Sequence, residues 1–65
     1  HSHQVILNAA DEVLVNAFLE KKIKYTDIPK GIEKMLNSYE RRELNSVEDI
    51  LAFDKEIKEK TEQLF

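Results

Sequence analysis

The sequence predicts an all-α protein, a three-helix antiparallel bundle. Three observations lead to that class. Apolar residues recur at helical spacing in three separate stretches. Residue types that cap helices stand at the head of each stretch. One glycine and one proline in 65 residues, with 35% of the residues charged, leave room only for short connections. The expected helices cover about 8–21, 27–41 and 47–64, within one domain spanning residues 1–65.

Helix 1 is the organising element. Its core is LNAADEVLVNAFL, Leu7–Leu19. At a helical step, Ala9, Ala10, Val13, Leu14, Ala17 and Phe18 cover about half the circumference. Val15 and Leu19 fall on the opposite side. A helix apolar on both sides is normally buried on both sides. Asn8 is the expected N-cap, with Asp11 three residues on in the capping-box position. Asp11 and Glu12 also suit the positive end of the helix dipole. The rival reading is a polar or metal site made of Asn8, Asp11 and Glu12; capping accounts for all three without a ligand. The preceding His1–Ile6 is weakly patterned. His1 and His3 read as a tag scar or as native residues, and one flexible pair fixes no metal geometry.

Glu20–Lys24 closes helix 1. Lys21, Lys22 and Lys24 place positive charge at the negative end of the dipole. They read as a solvated helix end or as an anion site. With no glycine available for a left-handed cap, the turn is expected to carry strain.

Helix 2 is expected to begin at Thr26 as N-cap, with Pro29 in the first turn, where its missing N–H breaks no helical bond. Ile28, Ile32, Met35, Leu36 and Tyr39 form a single apolar stripe. Gly31 lies beside it at a cost of about 1 kcal/mol relative to Ala. Close approach of another helix explains that glycine, as does tolerance at the surface. Tyr39–Asn45 is a polar connection from which Leu44 should fold back onto the bundle.

Helix 3 opens with Ser46 as N-cap and Asp49 in an acidic first turn. Val47, Ile50, Leu51, Phe53, Ile57 and Leu64 form its apolar side. Asp54 and Thr61 project into the same arc, so Asp54 should find a backbone N–H, a tyrosine or a lysine. Glu56 with Lys60 and Asp54 with Lys58 have the favourable i, i+4 order. A catalytic reading of Asp54 lacks a second carboxylate or histidine placed by sequence.

Composition excludes several classes. A net charge of −3, from 10 basic and 13 acidic residues, argues against nucleic acid and against anionic lipid as partners. No apolar run is long enough to span a membrane, and no signal peptide is visible. There are no cysteines, so neither a disulfide framework nor a thiolate metal site exists. A chain this short buries a modest core. One glycine rules out a phosphate-cradling loop. No serine stands in a nucleophile pattern with histidine and acid.

The run LNAADEVLVNAFLEKKIKYTDIPKGIEKML, Leu7–Leu36, resembles the C-terminal helical domain of 1-deoxy-D-xylulose 5-phosphate reductoisomerase. That family's pattern is approximately LNAANE, an apolar helix ending AFL, a short basic turn, then F/Y-T-D-I and a helix carrying I-E-x-x-L. SVEDILAFD, Ser46–Asp54, looks like the family's last helix. Asp11 departs from the usual Asn, and Lys22 from a common Gly.

The resemblance implies a three-helix part of a larger C-terminal helical bundle. It implies a parent NADPH-dependent oxidoreductase and isomerase of the non-mevalonate isoprenoid pathway, making 2-C-methyl-D-erythritol 4-phosphate with a Mg or Mn ion. The parent would be cytoplasmic in bacteria, or plastid-type in a eukaryote. The family's nucleotide, substrate and metal residues lie in its other domains, so no catalytic, cofactor-binding or metal residue is expected here, and no activity from this fragment alone. The implied partners are the central domain and a bundle helix preceding helix 1. Without them, self-association is expected to cover the open face of helix 1. The alternative function is a free-standing helical protein-interaction module.

Overall fold

A computed structural model describes all 65 residues. It contains α1 (Ser2–Leu19), α2 (Asp27–Asn37) and α3 (Val47–Glu62), and no strands. Both α2 and α3 pack on α1 and barely meet each other. Ser2 contacts Arg42 just ahead of α3, and Glu12 pairs with Lys58 further along. Helices α1 and α3 therefore run the same way, with α2 reversed between them in sequence.

The core joins Ile6, Ala9, Ala10 and Leu14 of α1 to Met35 of α2 and to Phe53 and Ile57 of α3. Ile28, Ile32, Leu36 and Tyr39 pack against it, so the α2 stripe is formed as expected, and Leu44 folds back onto it as well. Alanines on α1 let its neighbours approach closely, and Gly31 completes that fit. A Cβ on Gly31 would lie 2.7 Å from Leu14 Cδ1 and 3.0 Å from Cδ2. Close approach, not surface tolerance, is the reason for the glycine.

The start of α1 corrects the sequence expectation. The helix begins at Ser2, six residues before Asn8. Asn8 and Asp11 are exposed in mid-helix and cap nothing. The buried stripe decides the boundary: Ser2 and Ile6 are fully buried and continue the Ala10–Leu14–Ala17 line back toward the N-terminus. Burial outweighs a local cap preference, which is worth about 1 kcal/mol.

The ends differ too. Helix α1 stops at Leu19, where Lys21 adopts φ 62°. The Lys22 N–H donates to Ala17 O and the Lys21 N–H to Phe18 O, both at 2.9 Å. These two bonds are a Schellman closure with lysine in the left-handed position that favours glycine. The expected strain is therefore located at Lys21. Helix α2 ends at Asn37, short of residue 41, because the chain from Tyr39 turns to reach Phe53 and Ser2. Thr26 occupies the N-cap position in helical backbone without a side-chain cap bond. Asp27 acts instead, its Oδ2 accepting the Lys24 N–H at 2.8 Å. Ser46 caps α3 as expected, accepting the Asp49 N–H at 3.0 Å. Helix α3 ends at Glu62, and tighter i−3 bonds from Gln63 and Leu64 finish it.

Candidate functional site

Two groups of side chains fasten α3 and its approach to α1. In the first, Lys58 Nζ lies 2.7 Å from Glu12 Oε2 and 3.1 Å from Asp54 Oδ2. Lysine is thus the partner of Asp54, one of the options its position allowed. Asp54 is half-buried, not enclosed, because Lys58 beside it remains partly open to solvent. The hydrogen bond to Glu12, and after it that to Asp54, hold the Lys58 ammonium above its ordinary pKa of 10.5. The second expected pair, Glu56 with Lys60, does not form: Glu56 lies by Tyr39. Burial first, and Glu56 second, raise the Tyr39 hydroxyl above its ordinary 10.0, with Arg42 opposing.

The second group has no counterpart in the sequence reading. The Arg42 N–H donates to Ser2 Oγ at 2.8 Å, and the Ser2 N–H donates to Arg42 O at 3.2 Å. The Arg42 guanidinium then sits 4.1 Å from the centre of the Phe53 ring, a cation–π distance. Tyr39 meets the same ring edge-on at 5.5 Å. The only sequence signal for Ser2 was its place four residues before Ile6 on the buried stripe. Nothing in the sequence marked Arg42.

Thr61, which projects into the core as expected, donates its hydroxyl to Ile57 O at 2.6 Å and needs no ligand. His1 and His3 stand edge to face with ring centres 6.5 Å apart, and His3 Nε2 is buried without a partner. No three of the histidines, aspartates and glutamates converge closely enough to hold a metal ion. Asn8, Asp11 and Glu12 are not drawn into a common site, since Glu12 turns to Lys58. The one glycine faces Leu14 and cradles no phosphate.

What remains unmatched is apolar surface. On α1, Leu7, Phe18 and Leu19 keep 41%, 36% and 68% of their surface exposed. The Phe18 ring lies edge-on to Tyr25 at 5.6 Å, and Tyr25 itself is 70% exposed. On α3, Val47, Ile50 and Leu51 are also exposed, although periodicity placed them on its apolar side. The segment Arg42–Leu44 comes beside Asp49 in the first turn of α3 and leaves Val47 and Leu51 open. No helix is long and apolar enough to cross a membrane.

Comparison with known proteins supplies the family. Residues 1–60 match the model of the DXP reductoisomerase C-terminal domain. The match starts at residue 1, so His1 and His3 fall within the domain span. A 1-deoxy-D-xylulose 5-phosphate reductoisomerase of Blochmanniella pennsylvanica is 46% identical over 59 residues, 91% of this chain and 15% of that protein. One from Geotalea daltonii is 41% identical over 63 residues, 97% of this chain and 16% of the relative. One from Shewanella woodyi is 55% identical over 49 residues, 75% of this chain and 12% of the relative. The chain thus spans less than a fifth of the length of these relatives. No solved structure matches. With its three helices, its small-residue α1 face and its match over nearly the full length, the chain belongs to the family of DXP reductoisomerase C-terminal domains.

Proposed function

We propose that this chain is a non-catalytic supporting domain of a 1-deoxy-D-xylulose 5-phosphate reductoisomerase. The observation that carries the reading is the outer face of α1. Leu7, Phe18 and Leu19 stay exposed along the helix on which the rest of the chain is packed. Phe18 and Leu19, with Tyr25 edge-on to Phe18, form an exposed apolar patch at the C-terminal end of α1, and such a patch marks a contact surface. In the parent enzyme, the preceding bundle helix and the central domain cover it. In the isolated chain, self-association covers it. The enzyme's reaction, the NADPH-dependent formation of 2-C-methyl-D-erythritol 4-phosphate with a Mg or Mn ion, takes place on residues outside this chain. The cell compartment is the bacterial cytoplasm.

Exchange tests the reading. The matching 59 residues of the Blochmanniella enzyme are replaced with those of this chain, and NADPH consumption with 1-deoxy-D-xylulose 5-phosphate is followed. Turnover is expected in the exchanged enzyme, absent when the segment is deleted, and absent from the isolated chain. Turnover by the isolated chain overturns the non-catalytic role. Unimpaired turnover after deletion overturns the supporting role.

A further inference from the structure

Two unmatched surfaces lie at opposite ends of the molecule, whose long axis measures 36 Å. One is a groove of about 370 Å³ between α2 and the C-terminal ends of α1 and α3. Leu14, Ile23 and Leu64 line it, and Lys22, Lys30 and Lys34 also border it. Lys30 and Lys34 make no ion pair, and Lys22 has only the exposed Glu20 at 3.4 Å. The acid in the lining, Asp27, is engaged by the Lys24 N–H. From Glu20 to Lys34 the chain carries five lysines against three acids, a positive segment in a protein of net charge −3.

The other surface is the first turn of α3. Val47 and Leu51 are 70% and 64% exposed, and Glu48 and Asp49 stand beside them, exposed and without ion pairs. Its chemistry is the complement of the groove: apolar side chains flanked by acids against an apolar floor flanked by lysines. Complementary charge of this kind fixes orientation and excludes wrong partners.

We propose that the first turn of α3 of one molecule docks into the lysine-bordered groove of a second copy. The two surfaces cannot meet within one molecule, because they face opposite ends. The contact is heterologous, so copies add head to tail and do not close as a dimer. A groove of this size receives only a few side chains, so the contact is weak and belongs to the concentrated regime. It meets the exposed end of α1 around Leu19 only at Lys22 and Phe65, and it does not rest on the role proposed for the domain.

Sedimentation equilibrium of the 65-residue chain tests this, at low ionic strength and at about 0.5 M salt, where surface charge is largely screened. At low salt the average mass should climb past the dimer without a plateau, and added salt should lower it. Lys30→Glu with Lys34→Glu should raise the dissociation constant roughly tenfold. Glu48→Lys with Asp49→Lys should do the same, and all four together should restore association. The first reversal adds negative charge and the second removes it, so a loss in both cannot come from net repulsion. Circular dichroism confirms that each variant is folded. Leu51→Ser, which leaves the charges and the Ser46 cap in place, should also weaken the contact. A mass that levels at the dimer and ignores salt identifies the α1 face as the sole contact and overturns the proposal. So does a mass unchanged by either reversal, or a monomer throughout.

Discussion

On the inner side of α1, Ile6, Ala10, Leu14 and Ala17 keep no more than 2% of their surface; on the outer side, Leu19 keeps 68% and Leu7 41%. The outer side mixes these apolar residues with the exposed Asn8, Asp11, Glu12 and Asn16, whereas the inner side is almost wholly apolar. Which apolar residues stay open depends on what the rest of the chain can supply. Helix α2 has 11 residues and α3 has 16, enough to flank α1 on two sides and leave a third open. Hydrophobic content therefore tells that a surface is meant to be covered, and the length of the remaining chain tells whether it can cover it alone.

Paired substitutions break or sharpen this contrast. Leu14→Ala should cost about 3 kcal/mol, since a side chain closed in by neighbours leaves a cavity. Leu19→Ala should stay within about 0.5 kcal/mol in the monomer. Urea unfolding of both variants, below the concentration at which copies associate, reads the difference. Comparable losses would mean that the outer face is covered within a single chain.

Gly31→Ala probes the tightest point of the inner face. Alanine gains up to about 1 kcal/mol of helix propensity, but its Cβ would lie 2.7 Å from Leu14 Cδ1, so the Leu14 side chain must shift. Overpacking of this kind costs about 1–3 kcal/mol, so a net loss of about 1 kcal/mol is expected. In the Leu14→Ala background the same change should turn stabilising. A double-mutant cycle measures that reversal of sign, and additivity would disprove the close approach.

At the end of α1, Lys21→Gly should stabilise the chain by about 0.5–1 kcal/mol, because the left-handed backbone costs lysine and not glycine. A thermal melt shows it as a higher midpoint; no rise would mean that Lys21 makes up its strain elsewhere.

The smallest effect is alkaline. The pKa values of Tyr39 and Lys58 are raised in the folded chain, so the folded state holds both protons more tightly than the unfolded one. Their contributions are complete below the ordinary values of 10.0 and 10.5 and fade as pH rises through the raised ones. Stability should therefore fall above pH 10. Glu12→Gln should flatten the Lys58 part of that fall while leaving the Tyr39 part, as followed by circular dichroism across a base titration.

Periodicity made much of this architecture legible. The α2 stripe, the Ser46 cap and the Asp54–Lys58 pair are local features, written within a few residues of one another. What stayed hidden depends on residues far apart in sequence. Asn8 has the right neighbours for a cap, yet Ser2 and Ile6 are buried by segments some forty residues away, and that burial sets the helix start. Spacing pairs Glu56 with Lys60, whereas in the fold Glu56 lies by Tyr39 of the connection after α2. Val47 and Leu51 fit an apolar arc that the rest of the chain leaves open. For the candidate surface, the doubly apolar α1 announced an open face, whereas the lysine-bordered groove needed three separate segments to come together.

The bond between Ser2 and Arg42 spans 40 residues. Closing so long a loop is entropically slow compared with winding a helix. That clasp is therefore expected to form in the last step of folding, after α1, α2 and their junction. Removing its hydroxyl with Ser2→Ala should leave the refolding rate nearly unchanged and quicken unfolding, so the clasp works as a latch on the finished fold and not as a guide to reaching it.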